Sequence, residues 1–91
     1  LKVHEHGRAL WLTSVILGAF RNLKAVVEAA GGHLGQVVRL GLFLTDLKQF
    51  ATVNSIMAEY FHAPYPARST VQVAALPKGA PFEVEATLVL E

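Results

Sequence analysis

Residues Pro66 to Leu90 constrain this chain more than any other stretch. They read P-A-R-S-T-V-Q-V-A-A-L-P-K-G-A-P-F-E-V-E-A-T-L-V-L. Two runs alternate like strands, Ser69 to Leu76 and Phe82 to Leu90. Between them, Pro77-Lys78-Gly79-Ala80-Pro81 breaks pairing and turns the chain, so a hairpin is expected. Neighbours two apart on a strand share a face. Phe82, Val84, Ala86 and Leu88 therefore take one side of the second strand, and Glu83, Glu85 and Thr87 the other. Arg68 stands at the mouth of the first strand. One hairpin would then offer a cation and two carboxylates to a shared neighbourhood. On pattern alone, the same charges also read as an ordinary solvated outer face.

Upstream, the periodicity changes twice. Arg8 to Val15, R-A-L-W-L-T-S-V, follows a His6-Gly7 turn signal and reads as a strand. From Ile16 the apolar residues Ile16, Leu17, Phe20, Leu23, Val26, Val27 and Ala30 recur at three- and four-residue steps, predicting a helix closed by Gly31-Gly32. The Ser14-Val15-Ile16 junction is odd for a strand entering a helix, because no turn residue stands there. Gln36 to Thr45 is nearly continuous in apolar residues, as a strand buried on both faces would be. Strand, helix, strand implies a crossover with those two strands parallel. Thr45-Asp46 offers an N-cap to a second helix with the stripe Leu47, Phe50, Val53, Ile56, Met57, Tyr60 and Phe61. The pattern predicts a single α+β domain over residues 1–91, a sheet covered by two helices.

Composition adds a demand for company. The chain is 53% hydrophobic and only 16% charged over 91 residues. A domain this small has much surface per volume, so part of its apolar surface is expected to be covered by another chain. Apolar runs are far shorter than the ~20 residues of a membrane span. The eight Lys and Arg are dispersed rather than aligned in a phosphate-tracking stripe, which argues against nucleic acid. With no cysteine, disulfides, thiol nucleophiles and zinc–thiolate sites are excluded.

Few residues carry obvious chemistry. His4 and His6 have the spacing of two ligands on one strand face, but a metal site needs more ligands, so no metal is expected. His33 and His62 read as solvent-facing, with no Ser or Cys partner to make a triad. Gly31-Gly32-His33-Leu34-Gly35 lacks the lysine of a phosphate cradle and is better explained by helix termination. Trp11 reads as core or interface. Arg68 stands apart, since a guanidinium can bind a carboxylate through two parallel hydrogen bonds. Taken alone, it would more often be a surface salt bridge.

The stretch P-A-R-S-T-V-Q-V-A-A-L-P-K-G-A-P-F-E-V-E-A resembles the C-terminal signature of the RidA (YjgF-like) family of enamine/imine deaminases. Asn22 to Gly32 (N-L-K-A-V-V-E-A-A-G-G) is similar to the family's first helix and cap. Val37 to Asn54 is similar to its middle strand and second helix. The resemblance implies a chorismate-mutase-like α+β protomer with a mixed sheet covered on one face by two helices. It also implies a homotrimer whose sheets form a central barrel, with ligand pockets between subunits.

The implied activity is cytoplasmic hydrolysis of 2-aminoacrylate-type enamines and imines to 2-keto acids and ammonia, without a metal or organic cofactor. By the same resemblance, Arg68 matches the arginine that binds the substrate carboxylate, and Glu83 the glutamate associated with the hydrolytic water. Thr70 would help line the pocket. Ser14 would match the serine of a strand-end T-S-G-Q. The residues alone leave Glu83 and Glu85 both open as the key carboxylate. The family's G-P-Y-S-Q segment and the loop after that serine are absent, so the chain is expected to be N-terminally incomplete. A non-catalytic trimeric binding protein for 2-keto acids is the alternative.

Overall fold

The computed structural model describes the backbone of residues 2–90 and the side chains of residues 12–90. Helix α1 spans Lys2–Ala29, strand β1 Val37–Leu44, helix α2 Phe50–Tyr60, strand β2 Ala67–Gln72 and strand β3 Phe82–Leu88. Short 3₁₀ turns at Leu34–Gln36, Leu47–Gln49 and Pro77–Gly79 fill the connections.

The expected strand over Arg8–Val15 is instead the middle of α1. The odd junction at Ser14–Ile16 is its explanation, because without a turn residue nothing stops the helix from continuing. Arg8, Ala9, Leu10 and Leu12 are strong helix formers, and Thr13 and Val15 cost at most about 0.7 kcal/mol each relative to alanine. Once nucleated, a helix gains one hydrogen bond for each residue added. The crossover read from that strand falls with it. The side chains of His4, His6 and Trp11 lie outside the described residues.

The end of α1 follows expectation. Gly31 adopts φ +89°, the left-handed conformation that disfavours any side chain. Gly32 N–H donates to the Val27 carbonyl and Gly31 N–H to that of Glu28, both at 3.0 Å, the paired bonds of a Schellman cap. His33 is exposed but not idle. Its Nδ1 accepts from Gly35 N–H at 3.1 Å, and its own N–H donates to Gln36 Oε1 at 3.0 Å.

The sheet order is β2-β1-β3, with β1 parallel to β2 and antiparallel to β3. The expected hairpin is therefore absent, since β1 sits between its two arms. The 73–81 connection is long enough to stride over one strand, a lateral step of about 9–10 Å. It is α2, not α1, that links two parallel neighbours, as a β-α-β unit requires.

The helices cover one face of this sheet. Ile16, Phe20 and Val27 of α1 and Val53, Ile56 and Met57 of α2 pack with Leu40, Leu42 and Leu44 of β1 and Phe82 of β3. Phe20 gathers the rings of Tyr60, Phe61 and Phe82 at centroid distances of 5.7–6.3 Å. The buried stripe of α1 is narrower than its sequence pattern, because Val26 points to solvent, 66% exposed. Burial of β1 on both faces is not found. Leu40, Leu42 and Leu44 are fully enclosed, whereas Phe43 is half-buried on the side without helices. A register shift between Val37 and Arg39 leaves Val38 exposed.

Candidate functional site

Register assigns every charged side chain to a face. Arg68 pairs with Leu40 and Thr70 with Leu42, so both share the helix-covered side. Arg39, Gly41 and Phe43 line up with Thr87, Glu85 and Glu83 on the bare side. The cation and the two carboxylates thus occupy opposite faces and opposite edges of the sheet. Within the chain they do not share a neighbourhood.

Arg68 is held by α2. Phe50, Asn54 and Met57 recur at steps of four and three, which sets them on one helical stripe above β2. The Arg68 guanidinium carbon lies 5.1 Å from the centroid of the Phe50 ring, within cation–π range. Arg68 Nη1 donates to Asn54 Oδ1 and also approaches Met57 Sδ at 3.7 Å. Farther along β2, Gln72 Oε1 accepts from Leu47 N–H at 2.9 Å, and Asp46 Oδ1 caps Lys48 N–H at 2.9 Å. These bonds fix the start of the helical segment against the strand that carries Arg68.

Beside Arg68 opens a cleft of about 370 Å³. Asn54, Met57 and Ala58 form its helical wall. Phe61, Tyr65 and Pro66 form the wall from the α2–β2 connection, which contains a cis Ala63–Pro64 bond. Arg68 is the one charged residue of that lining. Thr70 is half-buried two residues farther on the same face of β2. Ser14 is not at a strand end. It sits exposed on α1 and is not part of this lining.

The bare face carries a second hollow of about 200 Å³, lined by Arg39, Gly41, Glu85, Ala86 and Thr87. Gly41 makes it possible, since a Cβ there would meet Glu85 Cγ and Oε1 at 3.0 Å. The Glu85 side chain lies across the bare backbone of β1. Arg39 Nη2 donates to Ser69 Oγ at 3.3 Å. Glu83 is exposed opposite Phe43, toward the other end of this face. No metal-binding cluster of His, Asp and Glu occurs among the described residues.

The sequence pattern does not single out Asn54 or Tyr65, and it places Phe50 and Met57 only in the apolar stripe of the second helix. A polar residue set between Phe50 and Met57 on an otherwise apolar stripe was the available signal. It requires knowing that β2, not β3, lies under that stripe.

A family profile described as Endoribonuclease L-PSP matches residues 14–90. Among curated proteins, the chain is 48% identical over 73 residues to a 2-iminobutanoate/2-iminopropanoate deaminase of Dermatophagoides farinae, covering 80% of this chain and 57% of that protein. Its structure superposes on RidA from an Antarctic Psychrobacter with TM-score 0.80 and 48% identity, over 82% of this chain and 61% of that one. For Escherichia coli TdcF with bound serine the TM-score is 0.79 at 42% identity, over 84% and 62% of the two chains. The chain spans a little over half the length of the curated relatives it matches. With the match covering most of its residues and the same mixed sheet and paired helices, this chain belongs to the Endoribonuclease L-PSP family, the RidA or YjgF-like group.

Proposed function

We propose that this chain is part of a hydrolase that deaminates reactive enamines and imines of the 2-aminoacrylate type, giving 2-keto acids and ammonia. The observation that carries the reading is Arg68, held by α2 at the wall of a cleft with no competing charge in its lining. A 2-imino acid has one permanent anion, its carboxylate, and a guanidinium can grip it bidentately. A relative of the same fold crystallised with serine, itself an α-carboxylate ligand, and relatives at 45–48% identity carry deaminase names.

Glu83 is the carboxylate assigned to the hydrolytic water, by its place in the family signature. Water adds to the imine carbon, and the resulting carbinolamine expels ammonia as its hydroxyl proton leaves. A carboxylate that takes and returns a proton supports both steps, help typically worth ~10²–10⁴-fold. Since Arg68 and Glu83 lie on opposite faces and edges of one sheet, the working pocket takes them from two protomers. A homotrimer joined through the bare face meets that need. It would also cover Phe43 and Val71, which a lone protomer leaves partly in water. Thr70 lines the same pocket beside Arg68. No cofactor is required, because the substrate is already reactive. The role is cytoplasmic detoxification of intermediates shed by other enzymes, and nucleic acid is not a partner. No helix of the described residues is long and apolar enough to cross a membrane.

The test is to generate 2-aminoacrylate in situ and follow keto-acid and ammonia release. The wild-type chain is expected to exceed the uncatalysed rate and Arg68→Ala to fall to it. A wild-type rate equal to background sinks the proposal. A monomeric mass in solution sinks the trimer.

A further inference from the structure

Arg68 belongs to an exposed edge strand, where a long side chain would ordinarily sample many rotamers. Here it does not. Nη1 is committed to Asn54 Oδ1 and to Met57 Sδ, and the guanidinium lies over the ring of Phe50. Nε and Nη2 have no protein partner among the described residues. The fork is therefore half used. The edge left free carries the two parallel N–H groups that match a carboxylate.

We propose that Phe50 is a positioning residue for ligand binding: its ring backs the Arg68 guanidinium and presents the Nε–Nη2 edge to a 2-imino or 2-oxo acid carboxylate. The inference rests on the assignment of Arg68 as the carboxylate-binding group. Asn54 and Met57 fix one end of the guanidinium, and Phe50 restrains its plane. A flat cation pinned at one nitrogen can still swing about that point. A ring beneath it removes the swing, so the ordering is done before the ligand arrives. Phe50 is well placed for this. It is the first residue of α2, its N–H bonded to the Leu47 carbonyl, and the preceding turn is tied to β2 through Gln72. The ring is only half-buried and is not a member of the enclosed core, so its role is not merely to fill that core.

The experiment measures binding of 2-oxobutyrate, a stable 2-oxo acid, by titration calorimetry on the full chain. Thermal unfolding is followed alongside. Arg68→Ala serves as the reference for loss of the carboxylate grip. Phe50→Leu, which keeps an apolar side chain but removes the ring face, is expected to raise Kd about three- to tenfold. Phe50→Tyr is expected to stay within about twofold of wild type. In the turnover assay, Phe50→Leu should raise KM and leave kcat nearly unchanged, because the ring touches neither the water nor its base. Should the leucine variant fold poorly, phenylalanines carrying one to three ring fluorines at position 50 replace it. They keep the shape and drain the ring face of charge, so Kd should climb stepwise with each fluorine.

Binding unchanged in Phe50→Leu, or flat across the fluorine series, overturns the inference while Arg68→Ala still abolishes binding. Equal loss in the leucine and tyrosine variants overturns it too, by showing that shape alone matters. If wild type and Arg68→Ala bind the oxo acid equally poorly, the assignment of Arg68 fails instead, and the role of Phe50 goes with it.

Discussion

The two outer strands of this sheet treat their charges in opposite ways. β2 turns Arg68 toward the helices, where Asn54, Met57 and Phe50 hold it. β3 turns Glu83 and Glu85 toward the side without helices, where both remain exposed. The first arrangement is complete inside one chain. The second is open, a row of carboxylates on a face that also shows Phe43 and Val71. The difference teaches that one chain by itself positions the cation of this sheet and leaves its carboxylates open. If Arg68 grips the carboxylate and Glu83 handles the proton, as proposed, the first is preorganised by its own chain and the second awaits a neighbour.

That division can be broken most forcefully at Glu83. Glu83→Gln keeps size and polarity but removes the carboxylate proposed as the base, so turnover should fall by ~10²–10⁴-fold while 2-oxobutyrate still binds. Loss of binding together with rate would put Glu83 in the grip rather than the chemistry. If Glu85→Gln instead carries that drop, the two carboxylates exchange roles. Mixing Arg68→Ala with Glu83→Gln subunits sharpens the same point. When a pocket takes one residue from each of two subunits, random reassembly leaves roughly a quarter of the pockets intact, and activity should return to about that level. A mixture as inactive as its components would place both residues in one chain's pocket.

The two faces also differ in what they should cost to damage. Leu42 is enclosed beneath the helices, and Leu42→Ala is expected to destabilise by about 2–5 kcal/mol in urea titrations. Phe43, its neighbour on the bare side, should cost only roughly 1 kcal/mol in an isolated protomer, because it already meets water. If the bare face joins subunits, as proposed, the second figure should approach the first in the assembled protein. A Phe43→Ala cost that is the same in dilute, dissociated protein and in concentrated protein would mean the bare face is not an interface. The smallest effect is a gain. A Cβ at Gly18 meets nothing within 4 Å, so Gly18→Ala should raise stability by about 0.5–1 kcal/mol, read as a higher unfolding midpoint. A loss there would signal that α1 is covered by another chain at that point.

Much of this architecture is legible in the sequence. The apolar run of β1, the stripe of α2, the alternation of β3 and the glycine cap after α1 all follow from periods of 2 and 3.6 and from backbone sterics. What misled was adjacency. Residues 69–90 look like a hairpin because two strands flank a proline- and glycine-bearing turn. Strand pairing is not decided by the turn alone. β1 is the most apolar strand and needs both edges hydrogen-bonded, so it takes both arms. The site suffered the same error. Arg68 and Glu83 were readable as residues, but the opposite faces they occupy depend on a register that sequence does not print. Asn54 and Phe50 became visible only once β2 was known to run beneath α2.

The placement of α1 against β3 has a consequence for the order of assembly. These are the two described elements farthest apart along the sequence, and β1 has only one neighbour until β3 arrives. The β1-α2-β2 unit can form from nearby residues, but Ile16, Phe20 and Val27 stay uncovered on one side until Phe82 and its strand dock. Closing so distant a contact is the slow step that topology imposes on such sheets. A nascent chain released early would display the aromatic cluster around Phe20 as a sticky surface, which makes β3 the latch of the fold as well as the bearer of its carboxylates.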